Sequence, residues 1–211
     1  MSTFYEVALF GEFFQSDFQA ILNRFTLHSE SARKMHSQEI IFEPVEAVAQ
    51  TVDAATPIQR TAKIAPVQLR CMRELLEPDS GWVMFSHLKA EPGARIQGAS
   101  EATIRPTVVC NVTGDATRFA SALGYVKTVE FHKRGYIFRR GPLSIRMFQI
   151  DPIDPKTLKP IPAHADAPWQ VEVLTTPTRN TQETPLSHMV DAALEVQRLM
   201  KGLLDLQKRD S

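Results

Sequence analysis

The chain has 211 residues, 43% apolar and 23% charged, with lysine plus arginine equal to aspartate plus glutamate at 24 each. That composition describes a folded globular protein rather than a disordered or membrane-embedded chain. The balanced charge removes the broad positive field on which non-specific nucleic-acid binding relies.

The length suits a single domain over 1–211 carrying long loops. The opening run Phe4 to Phe14 is broken by Glu6, Gly11 and Glu12, has no basic lead-in and is too short to cross a bilayer, so no export signal or membrane span is expected. Alternating apolar residues predict a strand near 3–10. Ser16 is placed to cap a helix from Asp17, whose Phe18, Ile21, Leu22 and Phe25 share one face. Period-two runs near 38–46, 66–76, 82–90 and 103–112 predict four more strands. The segment 49–66, rich in alanine, threonine and glutamine, reads as a loop. Cys71 and Cys110 lie far apart in β-like runs and are expected to be buried, unpaired thiols.

A short helix is predicted from Asp115 to Leu123, with Phe119 and Leu123 as packing groups, Gly124 as its stop, and a position plugging one end of the sheet. Runs at 126–133, 136–140 and 143–150 read as a three-stranded meander turning at Gly135 and again at Gly141-Pro142. Prolines 152, 155, 160, 162 and 168 make 151–168 a second long loop. A strand near 169–175 follows, and then a helix opening at Thr184-Pro185 and running to about Lys208, that is, near 185–208. Its stripe is Leu186, Met189, Val190, Leu194, Met200, Leu203 and Leu204. Val196, Leu199 and Leu206 lie off that stripe and widen the apolar surface enough for a second docking face.

The stretch EFHKRGYIFRRG, residues 130–141, concentrates positive charge, yet it does not fit a phosphate loop. Gly135 and Gly141 enclose five residues instead of four, and Pro142 stands where such a loop needs lysine. On a strand, Arg139 and Arg140 diverge, while Lys133 and Arg134 lie beside the expected turn. Cleavage of triphosphates inside a β-tunnel needs paired carboxylates two residues apart facing one metal ion. The chain has no Glu-x-Glu, and Glu172 reads as a lone acid. The six histidines have no ligand spacing, and neither a Gly-x-Ser-x-Gly elbow nor a dinucleotide turn is present. Tyr136 and Phe138 share a face and could stack on bases, but the balanced charge favours packing against a helix or a partner. Catalytic, cofactor-binding and metal-ligating residues are therefore all assigned as none. Arg134, Tyr136, Phe138, Arg140, Val196 and Leu199 are the candidate partner-binding residues, with the arginines guarding an exposed hairpin edge.

The run TVVCNVTGDATRFASALGYVKTVEFHKRGYIFRRGPLSIRMFQI resembles the family of Mediator complex subunit 18, with support from FYEVALFGEF, GWVMFSHL and WQVEVLTT. The resemblance covers most of the chain outside the two loops. It implies a mainly β (α+β) fold, a closed antiparallel β-barrel of about eight strands with three helices packed outside. It further implies a nuclear, non-catalytic subunit of the Mediator head module, a transcription coactivator between regulators and RNA polymerase II. Such a subunit pairs with Mediator subunit 20, is tethered by the C-terminal helix of Mediator subunit 8, and reaches the polymerase directly or indirectly. No cofactor, membrane or sequence-specific nucleic acid is expected. The alternative from another class is a metal-dependent triphosphate-tunnel hydrolase.

Overall fold

The computed structural model describes residues 3–46, 67–77, 79–90 and 101–209. In chain order these form β1 (Phe4–Phe13), α1 (Phe18–Leu27), β2 (Ser31–Pro44), β3 (Leu69–Glu74), β4 (Trp82–His87) and β5 (Thr103–Val112), followed by α2 (Ala116–Ala122), β6 (Tyr125–Arg140), β7 (Leu143–Pro152), β8 (Trp169–Thr175), β9 (Thr178–Arg179) and α3 (Leu186–Met200). Every pairing is antiparallel. The order β5-β4-β3-β2-β6-β7-β8-β1 is closed by β1 on β5, giving an eight-stranded barrel with β9 appended to β1. β1 makes the closure by dividing its length. Phe4–Ala8 pair with β5 and Ala8–Phe13 with β8.

Strand alternation divides the side chains into two populations. Val7, Leu9 and Phe13 of β1, Phe138 of β6, Ile145 and Met147 of β7 and Val171 and Val173 of β8 face outward. They form the largest core with Ile21 and Phe25 of α1 and Leu186, Val190, Ala193, Val196 and Met200 of α3. Each large apolar side chain removed from water there contributes about 1.5–3 kcal/mol, so this half of the barrel is stabilised from outside its wall. A second outer cluster joins Ile40, Phe42, Cys71 and Met84 to Ala116 and Ala120 of α2. The opposite faces of the strands line the bore.

The expected turn at Gly135 does not exist. β6 runs unbroken for 16 residues and pairs with β2 through Gly135↔Met35 and with β7 through Gly135↔Phe148. The glycine is needed for close approach: a Cβ there would lie 2.0 Å from the Met147 carbonyl oxygen and 2.7 Å from Phe148 Cα. The turn at Gly141-Pro142 is present and joins β6 to β7.

The helices also depart from expectation in detail. Ser16 does not cap α1, which follows a single 3-10 turn at Gln15–Asp17 without a side-chain cap. Asp115 does cap α2, accepting from Thr117 N at 2.9 Å and Arg118 N at 3.1 Å. This short helix buries Ala116 and Ala120 and leaves Phe119 and Leu123 exposed, because it lies flat on the outer wall of β2, β3 and β4 instead of plugging an end. α3 stops at Met200 rather than near Lys208, since Gly202 takes φ +86 and breaks the helix. The chain then turns back, and Gln207 bridges Phe10 of β1 while Thr103 Oγ1 donates to the Arg209 carbonyl. Leu186 N is satisfied by Asn180 Oδ1 at 3.3 Å, not by Thr184. Cys71 is buried but Cys110 is exposed, and both are free. The predicted loop 49–66 lies outside the described residues. The 151–168 excursion begins only after β7 ends at Pro152 and holds an isolated bridge between Ile153 and Pro160.

Candidate functional site

The bore is a cavity of about 430 Å³ whose wall is heavily charged. Inward positions of β1, β2 and β8 supply Glu6, Glu39 and Glu172, and four other strands supply Arg70, Arg105, Lys133 and Arg146. Lys133 is the hub, with its Nζ 2.9 Å from Glu172 Oε1 and 3.0 Å from Glu39 Oε2. Arg70 Nη1 donates to the other Glu39 oxygen at 3.1 Å. Arg105 grips Glu6 Oε1 through Nε at 2.9 Å and Nη2 at 2.6 Å. One or two turns of the pleat further along the same faces, Met35, Ile137 and Phe148 form an apolar layer, and Lys133 Nζ sits 4.5 Å from the Phe148 ring centroid.

Ionisation follows from these partners. Burial works to keep Glu172 neutral, but the Lys133 and Arg146 charges win and hold its carboxyl below the usual range. Glu6 goes the other way, because desolvation outweighs its arginine and pushes it up. Burial first, then Arg105 and Arg70, pull His87 down to about 3, so its ring is neutral near pH 7.

Two readings of the sequence are corrected here. Lys133 is not a solvated residue beside a turn but is 5% exposed in the bore. Glu172 is not a lone acid but one of three bore carboxylates, engaged by lysine and 3.8 Å from Arg146. Each of the three has a lysine or arginine nitrogen within 3.1 Å, so each carboxylate is already paired with a side-chain cation. Among the described residues no group of three histidine, cysteine, aspartate or glutamate side chains has the geometry to hold a metal ion.

The six candidate partner residues do not converge. From Phe131 onward β6 is flanked by β2 and β7, so no exposed hairpin edge exists for arginines to guard. Phe138 is wholly buried, its ring 5.4 Å from that of Phe25, and Tyr136 is half-buried with its ring 6.1 Å from Phe18. Val196 is wholly buried in the α3 face. Leu199 is half-buried, and its carbonyl accepts from Arg24 Nη1 at 2.9 Å. Arg140 donates to the His28 carbonyl and to Glu195 Oε1, each at 2.6 Å. Arg134, six residues away and so roughly 20 Å along the strand, pairs with buried Asp151.

Sequence reasoning missed two features. His36 and His132 meet on the outer wall, Nε2 to Nδ1 at 3.0 Å, a contact between strands 96 residues apart that no local spacing reveals. Phe119, Leu123, Val126 and Val129 are exposed on α2 and the start of β6, where β6 extends beyond its last partner on β7, Pro152.

A family model described as Med18 protein matches residues 86–211. No curated protein matches the chain. Among solved structures, a chain of the Schizosaccharomyces pombe Mediator head module aligns over 97% of this chain and 98% of its own at 19% identity, with a TM-score of 0.70. The PH1819 protein of Pyrococcus horikoshii OT3 aligns over 97% and 94% at 12% identity, with a TM-score of 0.54. The putative adenylyl cyclase HpAC1 of Hippeastrum, described as having a dominant triphosphatase activity, aligns over 99% and 91% at 9% identity, with a TM-score of 0.50. At these identities the three likenesses establish the barrel fold alone. The family match spans more than half of the sequence, a stretch that includes α2 and the long β6–β7 hairpin beside the bore: the chain belongs to the Med18 family, the nuclear, non-catalytic subunit 18 of Mediator.

Proposed function

We propose that this chain is a single-domain structural subunit of the Mediator head module that holds a neighbouring subunit against its outer wall and so helps connect regulators to RNA polymerase II. The observation that carries the reading is the family match over residues 86–211. The chemistry of the bore agrees with it, because carboxylates that accept from lysine and arginine at 3.1 Å or less are organised for packing rather than for gripping a divalent cation. Mediator subunit 20 is the proposed heterodimer partner, and the C-terminal helix of Mediator subunit 8 the proposed tether. Of the six partner-binding candidates, Arg134, Tyr136, Arg140 and Leu199 keep accessible surface. Phe138 and Val196 act by fixing the wall and helix that carry them.

Co-expression with subunit 20 and the subunit 8 helix, followed by gel filtration, tests this. A stable complex burying on the order of 1,500 Å² or more is expected. An isolated monomer that hydrolyses triphosphates with a divalent metal, and that ignores both partners, would overturn it.

A further inference from the structure

The ion pairs of the bore do not balance. Arg70, Arg105, Lys133, Arg146 and Arg209 line it against three carboxylates, among the described residues an excess of two positive charges, and the neutral ring of His87 adds none. The surplus has an address. The nearest carboxylate oxygen to Arg146 is Glu172 Oε2 at 3.8 Å, too far for a hydrogen bond, and its Nη1 is otherwise directed at Met72 Sδ, also at 3.8 Å. Arg209 presents its guanidinium to the Phe10 ring at 5.3 Å instead of to an acid. Two guanidinium groups, each a planar fork of donors suited to oxyanions, therefore border one cavity without a hydrogen-bonded carboxylate among the described residues.

The cavity volume of about 430 Å³ falls within the range of small-ligand sites. Solvent enters it, since the Arg70 side chain is a third exposed and those of Arg146 and Glu172 about a fifth. Charge left uncompensated in such a space is costly, and an anion drawn from solution offsets the cost.

We propose that the bore is a metal-independent binding site for a small multivalent oxyanion of the phosphate class, anchored by Arg146 and Arg209. The site requires no catalysis and no partner subunit, and its occupancy would stiffen the barrel from within. Failure of the site would leave the Mediator reading untouched, because that reading is tested by assembly alone.

The test is isothermal titration of the full chain with inorganic triphosphate in the presence of a metal chelator, with parallel titrations of ATP and citrate. Saturable one-to-one binding that weakens with added salt is expected. Triphosphate binding better than ATP identifies the free polyanion as the source, the reverse order identifies a nucleotide, and equal or better binding of citrate overturns the phosphate assignment. Arg146→Gln should weaken binding by about tenfold or more, the loss of one charge-assisted hydrogen bond. Arg209→Gln should weaken it too, and it leaves in place the Arg209 backbone bonds to Thr103 Oγ1. Glu172→Gln should tighten binding by removing a competing acid, whereas a purely structural network would gain nothing. No heat or thermal stabilisation at millimolar triphosphate, or unchanged affinity in Arg209→Gln, would overturn the proposal.

Discussion

Lys133→Met is the sharpest probe of the bore, because it removes the cation shared by two bore carboxylates, buried Glu39 and half-buried Glu172. Breaking a buried ion pair by deleting one partner costs about 3–5 kcal/mol. Here Glu39 keeps Arg70 at 3.1 Å and Glu172 keeps Arg146 at 3.8 Å. The loss should therefore fall at the low end, about 3 kcal/mol, and lower the melting temperature of a chain this size by about 6–12 °C. Urea denaturation at several pH values measures it.

The pH dependence supplies the check on cause. In the wild type, Lys133 and Arg146 hold Glu172 below its ordinary value of 4.5. Its contribution is therefore present above about 4.5 and disappears as pH falls through the folded value. Without Lys133 that hold weakens, so the gap between wild type and variant should be widest at neutral pH and narrow below about 4.5. Adding Glu172→Gln to Lys133→Met deletes one of the orphaned charges and should restore part of the loss. A gap under about 1 kcal/mol at pH 7, or one that does not change with acid, would mean that the ion network does not hold the barrel as described.

Two further outcomes follow from the geometry. Gly135→Ala forces a Cβ against Met147 O and Phe148 Cα, and the backbone shift should cost about 3 kcal/mol; an unchanged melting temperature would refute the close approach. His87 binds no proton in the folded barrel until about pH 3, but does so near 6.5 when unfolded, so stability is full above 6.5 and drains as pH falls, at up to about 1.4 kcal/mol per unit. His87→Gln should therefore lose about 1.6 kcal/mol less than the wild type between pH 6.5 and pH 5, read from urea midpoints; parallel losses in the two proteins would show that the ring is not buried neutral.

The outer wall was legible in the sequence and the bore was not, and the difference is one of range. Phe18, Ile21, Leu22 and Phe25 announce α1 because a helix repeats its contacts every three or four residues. The alternation of Leu143 to Ile150 announces β7 because a strand repeats every two. Such local periods also mislead where one residue serves a distant neighbour. Gly135 carries the mark of a turn, and only the backbone of Met147 across the ladder reveals why it is glycine. That single misplaced turn cut β6 in two and hid the fact that Phe131, Lys133 and Ile137 share one face. The bore acids are harder still, since Glu6, Glu39 and Glu172 lie far apart in sequence on β1, β2 and β8 and share one cavity only because the sheet curls into a barrel. An i, i+2 pair of acids would have been visible on one strand, but three acids each matched to a cation from another strand leave no local trace. The feature that distinguishes a charged structural bore from a metal site is thus the pairing itself, Lys133 between Glu39 and Glu172 and Arg105 on Glu6, and pairing is a property of the closed barrel, not of any segment of it.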